Sequence, residues 1–418
     1  MPVRHHCDAD PPVWNPPQKQ NNIELKLSTI TPLFGGGYET RKVDPECVIR
    51  PAAIRGQLRF WWRATAGAHY ATAKELFEAE EKLWGSAERR GAVAIKVKVD
   101  ETGEEKKCAE FERRRDGSLM SLPRFRDNWP PYALQPFQGK AERGQVTLEP
   151  SIARTGVKFS VTLSNGNAEQ QDIVSQAAIA WAMFGGVGAR TRRGCGSLTG
   201  DNLGKLDMVS PAGNAPGQLT HLCGASAVWG PITSDPIIAW KMAVEVYRDF
   251  RQKPGYARNP GEGQRPGRSR WPEPDSIRRI ARTSAPGHAP AHSVEGFPRA
   301  DLGLPIIFHF QGERDGDPKD HTLQGADSTA LRFASPVITK AIAVGPGKYR
   351  PLLLILNSPH VWEMGDLDLN GSRITRARID LDAAARNKVF PLQGLPIREA
   401  LVKFALDYDD WEKAGILR

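Results

Sequence analysis

A chain of 418 residues, 40% apolar and 25% charged, is too long for one ordinary core and too apolar for a disordered protein, so two globular domains are expected. Lys and Arg outnumber Asp and Glu by 57 to 48; the net charge of +9 leans toward an anionic partner and leaves the clustering of charge to decide. The five scattered cysteines form no CxxC pair, which argues against a disulfide framework or a structural zinc site and for a reducing, cytoplasmic setting, and no stretch reaches the roughly 18 apolar residues of a membrane span.

Residues 1–22 hold Pro11, Pro12, Pro16 and Pro17, which predict an extended arm rather than a helix, and they lack the apolar run of a signal peptide. Ile23, Leu25, Leu27 and Thr29 alternate with polar residues as in a half-buried strand, stopped by Pro32 and Gly35, Gly36 and Gly37. A helix is predicted from Pro51 through Ala68, with proline in its first turn, and a second over 73–83. Val93, Ile95, Val97 and Val99 read as a strand, 100–121 as a solvated hairpin or loop, and Val157 to Leu163 as a third strand. Ile173, Ala177 and Trp181 fall four apart along a helix from Glu169 to Phe184, followed by a short strand at 197–203. The order β-α-β-β-α-β over 23–203 is that of ferredoxin-like, RRM-like domains, with an extra helix and a long insertion.

Residues 204–224, rich in Gly, Pro, Ser and Asn, are the expected linker. The second half, 225–418, opens with the apolar stretch Ala225 to Trp229 and an amphipathic helix over 236–251. A Pro/Gly/Arg loop over 253–299 follows, then strands at 304–310, 335–344 and 349–356 and a helix at 397–406. The expectation is an α+β chain of two ferredoxin-like domains with long insertions, the second a degenerate copy of the first, although no sequence repeat is visible.

Four segments carry the chemistry. In the first helix Arg55, Arg59 and Arg63 share a stripe beside Ile54, Leu58 and Trp61. Trp61 is assigned to the core, and Trp62 with the arginines to a surface for phosphates and stacked bases. Gly56 costs this helix about 1 kcal/mol relative to Ala, which predicts close approach of another backbone. The second segment is the loop Gly185–Ser197, in which Gly186 and Gly188 among five glycines permit close approach and Arg190, Arg192 and Arg193 supply charge. It is neither a Walker loop nor a dinucleotide fingerprint, because it follows a helix and leads to a strand. It is read as a phosphate-backbone site, with a plain tight connection as the structural alternative. The third, Thr31 to Gly37, reads alone as a plain turn, but in a βαββαβ domain it is expected to bring Gly35, Gly36 and Gly37 beside Arg190–Arg193. The fourth, Arg248 to Arg282, centres on Arg268, Arg270 and Trp271, either an RNA-tracking loop or a mobile surface loop.

The glycine-arginine loop ending in Gly-Ser-Leu resembles the signature of the RAMP superfamily. With Thr-Pro-Leu-Phe-Gly-Gly-Gly at 31–37 and Ile-Arg-Gly-Gln-Leu-Arg-Phe-Trp-Trp-Arg at 54–63, it is similar to the large first RAMP subunit of Cmr-type (type III-B) CRISPR effector complexes. Leu-Trp-Gly-Ser at 83–86 and Arg-Ser-Arg-Trp-Pro-Glu at 268–273 fit the same pattern. That resemblance implies a pair of RAMP domains in a guide-RNA-loaded ribonucleoprotein, capping the filament of backbone subunits at the end away from the guide's 5′ tag. It also implies contacts with guide RNA, target RNA and other RAMP subunits, with target cutting left to the backbone subunits.

Some RAMP relatives are ribonucleases, so an endoribonuclease with its own site is the alternative. Metal-free RNA cleavage wants a histidine base beside an acid or electrostatic stabiliser. His5 and His6 lie in the arm, and Pro290 between His288 and His292 forbids the helix that would pair them on a metal. Asp366, Asp368, Asp380 and Asp382 are read as a solvated strand edge before a cation site. The expected protein is a noncatalytic RNA binder without metal or cofactor.

Overall fold

The computed structural model describes residues 21–35, 39–165, 170–200, 222–262, 266–310, 312–327 and 331–414. Period-two alternation builds the first sheet: Leu25 and Leu27 turn inward while Glu24 and Lys26 face out. Its strands are β1 (Asn21–Thr29), β2 (Val93–Glu101), β3 (Lys158–Asn165) and β4 (Leu198–Gly200), in the antiparallel order β4-β1-β3-β2. Leu25 stands opposite Val161 and Leu27 opposite Phe159, so apolar pairs line one face. Helices α1 (Pro51–Ala64), α2 (Ala73–Trp84) and α3 (Gln171–Phe184) complete this half. Pro51 starts α1 at no cost in lost donors, and Thr72 with Glu75 forms a capping box on α2. The predicted helix to Ala68 instead stops at Ala64, where Thr65 breaks the ladder and a 3₁₀ turn, Ala66–His69, takes over. Part of the charged segment after β2 is not loop, since Glu104–Lys107 pairs with Ile152–Thr155.

The second half runs in chain order through β5 (Ser226–Trp229), α4 (Pro236–Gln252), α5 (Glu273–Ala281), β6 (Ile306–Phe308), β7 (His321–Gly325), β8 (Val337–Gly345), β9 (Lys348–Ile355), β10 (Leu367–Leu369), β11 (Ser372–Ile374), α6 (Ile397–Leu406) and β12 (Glu412–Lys413). The sheet β8-β9-β5-β12 has the strand order of the first one read from its other edge, and its pairings are again all antiparallel. A ferredoxin-like sheet therefore recurs without a legible sequence repeat. A third sheet, β6-β7-β10-β11, is assembled from segments on either side of β8 and β9.

The first two of these sheets share apolar packing. One cluster runs from Leu25, Val161 and Trp181 to Trp229, Ile338, Leu352 and Leu354. Within the expected 253–299 loop, α5 is a helix of nine residues. Its signal was electrostatic rather than periodic: Pro274 in the first turn, Glu273 and Asp275 at the N-terminus, Arg278 and Arg279 at the C-terminus.

Candidate nucleic-acid interface

The glycine-arginine loop is shaped by left-handed backbone. Arg190 has φ 58°, Gly188 83°, Gly194 79° and Gly196 61°. A Cβ on Gly188 would stand 2.1 Å from the Phe34 carbonyl oxygen, and one on Gly194 would stand 2.5 Å from the Trp240 ring. The loop thus lies flush against the Thr31–Gly35 turn on one side and α4 on the other. Ala189 donates its N–H to Phe34 O at 2.6 Å, and Gly196 N–H donates to Pro32 O at 2.9 Å. The Thr31 hydroxyl donates to Gly194 O at 2.6 Å and accepts from Ser197 N–H at 2.8 Å. The two loops meet as their positions in the sheet require, although Gly36 and Gly37 themselves lie outside the described residues.

The loop's arginines reach across the molecule. Arg190 Nε donates to Ala133 O at 2.6 Å, and Arg192 Nη1 to Ser335 O at 3.0 Å. Arg193 Nη1 donates to Val337 O at 2.7 Å and its Nη2 to the Ser335 hydroxyl at 3.2 Å. Trp240 Nε1 returns a bond to Arg193 O at 2.6 Å. Burial pulls down the pKa of Arg190 and Arg192, and the neighbouring Arg193 charge adds to it at both, which marks crowded positive charge. Among the described residues no carboxylate is within ion-pair distance of Arg190, Arg192 or Arg193. Each guanidinium has five N–H donors and spends only part of them on carbonyls and a hydroxyl.

The tryptophan helix differs from expectation. Trp62 is 3% exposed and belongs to the core, not to an RNA-facing surface. Helix α1 is covered on two sides: Trp61 packs on Phe184 of α3, and Trp62 lies 6.1 Å from Tyr70 in the chain leading to α2. Adjacent residues on a helix point about 100° apart, so two flanking neighbours bury both rings. Nothing lies within 4 Å of a Cβ on Gly56, so no backbone approaches there. The arginine stripe is also engaged internally. Arg55 donates to Trp84 O at 2.7 Å, and Arg59 and Arg63 both bond Glu80, a buried carboxylate of α2. Burial would raise the Glu80 pKa, but the Arg63 and Arg59 hydrogen bonds hold it below the ordinary value.

The fourth segment is corrected in the same way. Trp271, 1% exposed, stacks edge-on against Phe250 at 5.4 Å and donates to Arg251 O at 3.0 Å. It is core because it closes the apolar space between α4 and α6, where Phe250 meets Phe404. Arg268 bonds Asp275 at 2.8 Å, and Arg270 bonds Gly255 O at 2.8 Å while lying 4.6 Å from the Phe390 ring centre. The segment is a bonded surface ridge rather than a free loop. His288 is tied to Asp317 at 2.5 Å. Asp366 pairs with Arg373, Asp380 pairs with Arg386, and Asp382 caps a short helix. Among the described residues no group of His, Cys, Asp or Glu is placed to hold a metal ion, and no helix is long and apolar enough to cross a membrane.

One accessible basic surface and one cleft of mixed charge were missed. The open face of the first sheet carries Lys26, Lys96, Lys98 and Lys158, interleaved with Glu24, Asp100, Ser160 and Thr162. These are the outward positions of each strand, so period-two reading had already marked them. A cleft of about 700 Å³ beside the Thr31 turn is lined by Lys106, Arg124 and Arg126 and equally by Glu110, Glu112 and Asp127, so its charges balance. No local pattern announces it, because it is assembled from the insertion.

Residues 26–199 match the family model described as RAMP superfamily. The chain is 28% identical over 174 residues to the CRISPR system Cmr subunit Cmr1-2 of Pyrococcus furiosus, covering 41% of this chain and 91% of that protein. It is 27% identical over 176 residues to Cmr subunit Cmr1-1 of the same organism, covering 42% of this chain and 46% of that one, so it spans about half the length of this second relative. The crystal structure of Cmr1 from Pyrococcus furiosus in its apo form aligns with a TM-score of 0.43 at 19% identity, over 81% of this chain and 89% of that one.

Proposed function

We propose, from the match of residues 26–199 to the RAMP-superfamily model, that the chain is a noncatalytic RNA-binding and assembly subunit of a type III-B CRISPR ribonucleoprotein. In this reading it caps the backbone filament at the end away from the guide's 5′ tag, beside other RAMP subunits, and touches guide and target RNA. The observation that carries the RNA-binding reading is the crowding of Arg190, Arg192 and Arg193 with spare donors and no carboxylate partner among the described residues. Gly186 and Gly188 serve the loop's own packing, against Gly196 O and Phe34 O, and so hold the arginines in place rather than meet the ligand. Arg55 and Arg59 stand behind as half-exposed support, and Arg268 and Arg270 form a second rim. Phosphates are the fitting ligand, because a guanidinium fork matches their geometry and charge.

The test is a salt series. Replacing Arg190, Arg192 and Arg193 by Ala is expected to weaken single-stranded RNA binding. It should also flatten log K against log[salt] by about 0.7 per lost phosphate contact. Melting curves of the variants separate lost binding from lost fold, since these arginines also bond carbonyls. An unchanged slope in a folded variant refutes the loop's role. The noncatalytic half is tested by incubating the purified chain with guide and target RNA and Mg²⁺ or Mn²⁺, where specific cleavage favours the endoribonuclease alternative.

A further inference from the structure

Tyr247, on α4, is fully buried between two arginines that come from different halves of the chain. The Arg193 guanidinium carbon is 4.6 Å from its ring centre and that of Arg251 is 5.6 Å away. Arg251 Nη1 donates to the Tyr247 hydroxyl at 3.4 Å. Tyr132 stands edge-on to Tyr247 at 6.2 Å and is within electrostatic reach of both Arg190 and Arg251. Among the described residues Arg190, Arg193 and Arg251 have no carboxylate at ion-pair distance. The nearby buried acid Glu273 accepts from Arg299 through Oε1 at 3.0 Å, and its charge reaches Arg251 without an ion pair. Burial pushes the Tyr247 phenol up, but the Arg251 and Arg193 charges outweigh it and hold its pKa below the ordinary value. A phenol drawn toward ionisation is the response to the two arginine charges beside it.

We propose that Arg190, Arg193 and Arg251, with the Tyr132 hydroxyl, form an anion seat at the seam between the two halves, and that it takes one phosphate group of an RNA backbone. The seat rests on the RNA-binding reading and extends it to Arg251 and Tyr132, outside the glycine-arginine loop. Planar guanidinium forks and phenol hydroxyls are donors suited to phosphate oxygens. Arg190, Arg193, Arg251 and Tyr132 are all half-buried, so the donors are partly desolvated and still reachable. A phosphate here would touch both halves at once and thereby link RNA binding to their docking.

The experiment uses the full chain, Arg251→Gln, and, on the third sheet, Arg373→Gln as a control whose guanidinium pairs with Asp366. In a salt series with labelled single-stranded RNA, Arg251→Gln is expected to lose about 0.7 of slope while Arg373→Gln keeps it. In parallel, inorganic phosphate should raise the melting temperature of the wild type above chloride at equal ionic strength, and should not do so for Arg251→Gln. If the wild type binds RNA and folded Arg251→Gln keeps its slope, the seat is overturned and the RNA reading stands. If RNA fails to bind but phosphate protects the wild type alone, the anion seat stands and the RNA reading falls. If RNA fails to bind and phosphate protects neither chain, both are overturned. Should Arg251→Gln not fold, absence of phosphate protection in the wild type overturns the seat, and its presence, abolished by Tyr132→Phe, supports it.

Discussion

Trp62 shows how a single side chain changes role with its surroundings. A base-stacking tryptophan must be open on one face, whereas Trp62 is enclosed by α1, Tyr70 and the tight turn at Gly67, where a Cβ would lie 3.2 Å from the indole. Trp62→Ala is therefore expected to cost about 3–5 kcal/mol of stability in urea or guanidinium unfolding. The salt slope of RNA binding should stay unchanged in whatever fraction remains folded. A stacking residue would show the reverse, with about 1–3 kcal/mol lost from binding and little from stability. Arg59 and Arg63 illustrate the same dependence: their stripe is legible in the helix period, but Glu80, which engages it, arrives from a different helix.

At the scale of elements, glycines separate into those that shape a contact and those that do not. Gly188 sits at positive φ with the Phe34 carbonyl where a Cβ would go, so Gly188→Ala should destabilise the fold by more than about 1 kcal/mol and loosen the two loops. Gly56 sits in α1 with no atom in the way, so Gly56→Ala should stabilise by up to about 1 kcal/mol. Thermal and denaturant unfolding of the two variants checks both signs. Strand and helix alternation along β1, β2, β3, α1 and α3 was readable because each buries one face of its own residues. Helix α5 was not, because its apolar positions are few and its end charges carry the signal. The cleft beside Thr31 was invisible for another reason: its walls are far apart in sequence.

Across the whole molecule, Lys340 couples the halves. It lies on β8, fully buried, and its Nζ donates to Met183 O at 2.6 Å and Gly185 O at 2.7 Å at the C-terminus of α3. Burial pushes its pKa from 10.5 to about 7, while the carbonyls at the negative end of the helix favour the charged form. With the folded pKa below the unfolded one, the unfolded chain binds more protons between about pH 7 and 10.5, so stability attributable to this group rises with pH through that window. The unfolding free energy of the wild type minus that of Lys340→Met should be flat below about pH 7 and increase above it. A difference constant across the window would mean that the ammonium remains charged in the folded protein.

Local patterning fixed the order of strands and helices along the first half and the faces they bury, because side-chain alternation and turn chemistry are local. It also marked the arginines at 190, 192 and 193 as the densest charge on a glycine-rich loop. Only the tertiary structure decided which tryptophans are covered, that Arg59 and Arg63 share a buried glutamate, and that Arg193 and Arg251 converge on Tyr247. Periodicity reports which way a residue points from its own element; what it meets there depends on how many other elements pack against that side.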